Sequence, residues 1–257
     1  MRENKVLAAC RTGGQTIGCW LTIGDSYASE CMASIGFDWV CIDMQHGMLG
    51  YTELRAMLPA LARFDTVVLV RPTWNDPGEI MKALDTGAAG VVVPMVSTRA
   101  QAERAVAACR FPPEGIRSFG PGRATLNADP DYFKRINSQI ACFAMIETSE
   151  GLENLDAIAS TPGLSGIYIG PSDLACALGL EPSGDNSHPK HAEAVGCILA
   201  ACRSHGIGAC MHTGSVAYTK RYLKQGFNLV MLGSDRAWMM GGALRDLAEA
   251  RCSMADN

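Results

Sequence analysis

The sequence predicts a single eight-stranded α/β barrel, the (β/α)8 or TIM fold. Short β-rich runs alternate with longer segments of helical period, eight such runs can be counted, and 257 residues hold eight strand–helix units with little left over. Chains beyond about 250 residues often divide, but α/β barrels routinely fill this length as one unit. No internal repeat, low-complexity tract or linker marks a boundary, so residues 1–257 are read as one domain.

In order, the expected strands are Thr16–Leu21, Trp39–Asp43, Val67–Arg71, Gly90–Pro94, Cys142–Glu147, Gly166–Gly170, Ile207–His212 and Asn228–Gly233. Each is a short apolar run, as strands buried on both faces require. Helical period fills the gaps near 26–35, 52–63, 77–86, 98–109, 149–160, 189–204 and 214–225, with a terminal helix near 236–251. The helix at 77–86 has the clearest start: Asp76 can cap it, Pro77 suits its first position, and Glu79 stands three after the cap. The segment 111–139 is the one long insertion, rich in Gly and Pro, and is expected to be a functional loop.

Composition removes several functions. A net charge of −4 and a pI of about 5.7, without a basic stripe, leave little for nucleic acid or anionic lipid to bind. No run of about 18 apolar residues offers a membrane span. The basic start has only five consecutive apolar residues, Val6–Cys10, too few for a signal-peptide core. The 11 cysteines form no C-x-x-C pair, and Cys19, Cys41, Cys142 and Cys210 fall inside apolar runs. Buried reduced thiols and a cytoplasmic location are therefore expected.

Barrel enzymes place their chemistry at the C-terminal ends of the strands. Here those ends carry Asp43-Met-Gln-His46, Arg71, Glu147 and Gly170-Pro-Ser-Asp173. Glu147 and Asp173 terminate neighbouring strands, about 4.8 Å apart, so their carboxylates can converge. Two like charges at one point need a proton or a cation between them. With oxygen donors and no Cys or His pair nearby, Mg²⁺ or Mn²⁺ suits better than zinc. The alternative is helix capping, by Glu147 of a helix opening at Thr148 and by Asp173 of one after Pro171. Arg71 suits a carboxylate or a developing oxyanion, or else a salt bridge to a neighbouring acid. His46 suits a general base near neutral pH, with His212 as a second strand-end histidine. The glycines of Thr213-Gly214 and Gly233-Ser234 can cradle a phosphate or simply make tight turns. None of the six lysines stands at a strand's C-terminal end, so no imine chemistry is expected.

Six stretches carry a resemblance: Phe37-Asp-Trp-Val-Cys-Ile-Asp-Met-Gln-His46, Val70-Arg-Pro-Thr-Trp-Asn-Asp-Pro77, Val93-Pro-Met95, Phe111-Pro-Pro-Glu-Gly-Ile-Arg117, Ile146-Glu-Thr148 and Ile169-Gly-Pro-Ser-Asp-Leu174. In this order, across nearly the whole chain, they resemble the HpcH/HpaI family of metal-dependent pyruvate aldolases. The resemblance implies a barrel of the pyruvate/phosphoenolpyruvate type, with the last helix exchanged between subunits and a hexamer built as a trimer of dimers. It implies a divalent ion (Mg²⁺, Mn²⁺ or Co²⁺) on Glu147 and Asp173, Arg71 facing the substrate oxo group, and His46 as a base paired with Asp85. Asp43 joins this catalytic set, and Gly170, Ser172 and Asp173 receive the pyruvate carboxylate. The implied substrates are a 2-oxo acid and an aldehyde. Gln45 and Met145 depart from the family pattern, which has Glu and Gln there. Two other readings stand beside the aldolase: a related Mg²⁺-dependent lyase or decarboxylase, and a silent barrel that only binds a 2-oxo acid.

Overall fold

The computed structural model describes residues 3–126, 128 and 130–255. Met1 and Arg2 of the basic start, Asn127 and Asp129 of the insertion, and residues 256–257 of the expected domain lie outside the described residues. Eight parallel strands close into a barrel in chain order, with β8 returning to β1. They are β1 (Thr16–Leu21), β2 (Trp39–Asp43), β3 (Val67–Arg71), β4 (Gly90–Val93), β5 (Ala141–Ile146), β6 (Gly166–Ile169), β7 (Gly208–Met211) and β8 (Leu229–Ser234). All eight expected strands form. Four of them stop one residue early, which leaves Pro94, Glu147, Gly170 and His212 just beyond the pairing, at the rim.

The strands read as unbroken apolar runs because both faces are covered. Inward side chains, among them Trp20, Trp39, Phe143, Met145 and Tyr168, fill the barrel. Outward ones, such as Leu21, Val40, Ile42 and Val70, pack beneath the helices. Gly18 makes room for this filling: a Cβ there would stand 2.1 Å from the buried Trp39 ring.

A helix that periodicity did not suggest, α1 (Lys5–Thr12), lies at the N-terminal end of the barrel. Its Val6 and Leu7 join the interior cluster, and Asn4 donates to the carbonyls of Ala89 and Gln139 just before β4 and β5. The outer helices are α2 (Ser26–Ser34), α3 (Tyr51–Leu61), α4 (Pro77–Asp85), α5 (Arg99–Cys109), α6 (Tyr132–Ile136), α7 (Ser149–Glu153), α8 (Leu155–Ala159), α9 (Pro171–Ala177), α10 (Pro189–His205), α11 (Val216–Gln225) and α12 (Asp235–Ala255).

Three expectations are corrected. The helix near 149–160 is broken into α7 and α8 at Asn154, whose side chain turns away to donate to the Ser97 carbonyl at 3.0 Å. The insertion is not all loop, since it holds a 3-10 turn at Gly122–Thr125 and α6. The strand cysteines are buried as expected, but Cys31, Cys176, Cys197 and Cys252 lie at the surface. Among the described residues no helix is long and apolar enough to cross a membrane. After Trp238, whose ring stacks on Phe37 with centroids 5.7 Å apart, α12 leaves its own barrel, with Met239, Met240, Leu244 and Leu247 exposed.

Closure of the barrel is fastened by Asp235, the buried first residue of α12. Its carboxylate accepts from the Thr22 amide and hydroxyl and from the Ile23 amide, joining the end of β8 to the end of β1. Asp235→Ala strands these donors at roughly 1–3 kcal/mol for each group left buried and unpaired. A urea titration should therefore show a loss of about 3 kcal/mol or more, and a loss below about 0.5 kcal/mol would mean that the closure does not depend on this residue.

Candidate active site

Asp43 and Arg71 are register partners at the ends of β2 and β3, so their side chains emerge together. They form a buried, bidentate ion pair, Nε to Oδ1 at 2.8 Å and Nη2 to Oδ2 at 2.6 Å. Of the two readings of Arg71, the salt bridge is therefore present in the folded chain. It does not consume the guanidinium, because the polar neighbour of Nη1 is Met145 Sδ at 3.9 Å, a weak acceptor. The guanidinium also lies 4.3 Å from the centre of the Trp20 ring, which fixes its plane. Asp43 Oδ1 further accepts from the amides of Gln45 (3.1 Å) and His46 (3.2 Å), so the same carboxylate shapes the turn that carries His46. The His46 side chain is exposed at the rim.

Glu147 is buried directly after β5. Its Oε1 accepts from the Met95 amide at 2.7 Å. Met95 holds φ at +55°, a strained value for a residue with a side chain, and it aims its N–H at this carboxylate. The other oxygen sits over the bare Cα of Gly170, where a Cβ would approach Oε2 to 2.2 Å. Burial pushes the Glu147 carboxyl above its ordinary range. The Met95 N–H opposes that shift, the Asp173 charge adds to it, and the Arg71 charge reduces it.

Neither carboxylate is a cap. Thr148 caps α7 through its own hydroxyl, which accepts from Gly151 at 2.9 Å, and Asp173 makes no hydrogen bond to a backbone amide among the described residues. Asp173 is exposed in the first turn of α9, close enough to raise the Glu147 carboxyl. A buried carboxylate with one oxygen in a side-chain-free cradle, facing a second acid, fits a hard divalent ion. Among the described residues no three His, Cys, Asp or Glu side chains gather, so an ion here would complete its shell with water and substrate.

The chain does not bring Asp85 to His46. Asp85 ends α4, which runs back toward the N-terminal end of the barrel, and its carboxylate pairs with the buried Arg117 of the insertion at 2.7 Å. The pairing implied by resemblance is thus not made within one chain. His212 lies beyond β7 with its ring edge 4.9 Å from Trp20. Burial and the Arg71 charge push it down to about 3, against the pull of Asp43, so it is neutral and weakly basic at ordinary pH. The six lysines all lie on helices, away from the strand ends. A cavity of about 460 Å³ also lies elsewhere, walled by Leu58, Leu84 and Ile136 at the N-terminal end. It lies at the end of the barrel away from Asp43, Arg71, Glu147 and Asp173 and is not the site.

The raised Glu147 carboxyl has a consequence for stability without divalent ions. A group whose pKa rises on folding costs stability when ionised, so the cost is absent below the unfolded value of about 4.3 and full above the folded one. Glu147→Gln should raise Tm at pH 8 by a few degrees, on the order of 1 kcal/mol, and flatten the loss of stability as pH climbs from 4.5. An unchanged melting profile across that range would show that the charge is already compensated.

Comparison with known proteins adds to this geometry. The sequence matches the HpcH/HpaI aldolase/citrate lyase family over residues 16–240. It is 35% identical over 244 residues to the 4-hydroxy-2-oxo-heptane-1,7-dioate aldolase of Salmonella dublin, covering 94% of this chain and 92% of that one. It is also 35% identical over 248 residues to the hydroxypyruvate/pyruvate aldolase of Rhizorhabdus wittichii, covering 96% and 99%. Among solved structures, an HpcH/HpaI aldolase/citrate lyase family protein from Burkholderia cenocepacia superposes with a TM-score of 0.89 at 31% identity, over 96% of this chain and 99% of that one. The barrel, its rim of acids with Arg71, and these matches place the chain in the HpcH/HpaI aldolase/citrate lyase family of carbon–carbon lyases.

Proposed function

We propose that the chain is a divalent-metal-dependent aldolase that reversibly cleaves a 4-hydroxy-2-oxo acid into pyruvate or hydroxypyruvate and an aldehyde. The observation that carries this reading is the meeting of the buried Glu147, the nearby Asp173 and the incompletely paired Arg71 at one mouth. Two relatives at 35% identity with aldolase names support it. A bound Mg²⁺, Mn²⁺ or Co²⁺, held by Glu147 and Asp173, supplies Lewis-acid polarisation of the oxo group.

The protein's own groups do the remaining work. Asp43 fixes Arg71 so that Nη1 meets the oxo oxygen, where negative charge develops as the C3–C4 bond breaks. Backbone amides at Ser172 and Asp173, in the first turn of α9, receive the substrate carboxylate, and Gly170 gives it room to approach. His46 takes the proton from the C4 hydroxyl and returns one to C3 of the departing enolate. Asp85, held by Arg117, is outside this proton path in a single chain. Met145 and Gln45 shape the donor pocket; Gln45 Oε1 is buried without a partner among the described residues.

The exposed apolar side chains of α12 support a homo-oligomer, and the family resemblance supplies the hexamer. Light scattering at micromolar protein should give several times the 27.4 kDa chain mass, and a monomer mass would contradict this.

Two experiments decide the chemistry. Exhaustive chelation should abolish cleavage, with recovery on adding Mn²⁺ or Mg²⁺, whereas full turnover without divalent ions sinks the metal reading. Deuterium exchange into the pyruvate methyl should fall about 10²- to 10⁴-fold in His46→Ala, the range of general acid–base help. Exchange at the wild-type rate would place the base elsewhere.

A further inference from the structure

Helix α9 spans only seven residues, yet it presents the Ser172 and Asp173 end of the proposed site. So short a helix has little stability of its own, and its position depends on what holds it. The first turn of α10 grips both of its ends. Lys190 Nζ donates to the Leu178 carbonyl at 2.7 Å, at the far end. His191 Nε2 lies 3.1 Å from the Pro171 carbonyl, at the near end, one residue before Ser172 and two before Asp173. A third tie, from Ser149 Oγ to the Ala177 carbonyl at 2.8 Å, joins α9 to the segment following Glu147.

The histidine is the unusual member. It is wholly buried, 0% exposed, and its Nδ1 has no partner among the described residues. A carbonyl can only accept, so Nε2 carries the hydrogen, and Nδ1 is left bare. Keeping an unpartnered ring nitrogen buried costs free energy that an aliphatic side chain of similar size would not incur. What the imidazole gains is one directed bond, to the residue that opens the turn containing Asp173. Burial also pushes its pKa down, which favours the neutral ring, and the Pro171 carbonyl selects the tautomer with the hydrogen on Nε2.

We infer that His191 is a positioning residue: its Nε2–H bond to the Pro171 carbonyl fixes the first turn of α9, and with it the aim of the Asp173 carboxylate and the Ser172 amide at the mouth. The inference rests on the proposed reading of Asp173 as a ligand. It acts through Pro171, and the imidazole touches neither substrate nor ion. Its chemistry asks for a single buried N–H at the Nε2 position. Glutamine can supply that, and leucine, of comparable volume, cannot.

The test compares His191→Leu, His191→Gln and Glu147→Gln with the wild type in the full chain. Hydrogen exchange without divalent ions should be faster over residues 170–178 in His191→Leu, with exchange elsewhere unchanged, and His191→Gln should restore protection. Mn²⁺ binding, titrated by electron paramagnetic resonance, should weaken about 10- to 100-fold in His191→Leu and recover in His191→Gln, the usual effect of losing a group that orients a ligand. KM for the 2-oxo acid should rise with kcat changed less. Should His191→Leu not fold, His191→Asn, whose amide stops short of Pro171, replaces it. Unchanged exchange and Mn²⁺ affinity in the leucine variant, or failure of glutamine to rescue, overturns the inference. If the wild type binds no Mn²⁺, or Glu147→Gln binds it equally well, the metal reading fails instead, and the exchange pattern alone decides whether His191 holds α9.

Discussion

The buried pair between Asp43 and Arg71 is the interaction on which the site depends. It follows from register: the two residues end adjacent parallel strands opposite one another. Removing two charges from water is expensive, and their mutual attraction often no more than balances that cost, so the pair adds little to stability. It contributes placement. One carboxylate orients the guanidinium over Trp20 and also accepts from the amides of Gln45 and His46, so the electrophilic arginine and the proposed base share a single anchor. Disturbing Asp43 would disturb both, and breaking one half of a buried pair costs more than deleting the whole.

Around that anchor the molecule accepts local costs where chemistry needs them. Met95 adopts a left-handed backbone to give its amide to Glu147, and Glu147 remains buried with one oxygen over Gly170. These features oppose stability and prepare a cation site, the usual exchange at a functional centre. Compensation lies at the opposite end. There α1 seats Val6 and Leu7 against the barrel interior, while Asn4 ties its start to the segments before β4 and β5. The N-terminal face carries structural contacts alone, whereas the reactive groups share the C-terminal face with the Asp235 closure, which is close to the division of labour of this fold. The helix α12 stands outside that division, because a single chain leaves its apolar side chains uncovered.

The eight strands, most of the helices and the strand-end residues Asp43, Arg71, Glu147 and Asp173 are legible in the amino-acid order, because a period of two or 3.6 and an apolar run are local properties that the chain carries wherever it folds. That order did not show α1, whose short apolar run resembles any other until the barrel end it covers exists. It left open whether Arg71 was paired, whether Glu147 was a cap, and whether Asp85 met His46. Those answers come from the folded arrangement. The partners, Asp43 for Arg71, Met95 for Glu147, Arg117 for Asp85 and Pro171 for His191, lie 28, 52, 32 and 20 residues away along the chain. A hydrogen bond needs its atoms within a few tenths of an ångström of a set distance. Strand register, helix direction and backbone strain, not residue type, fix separations that finely.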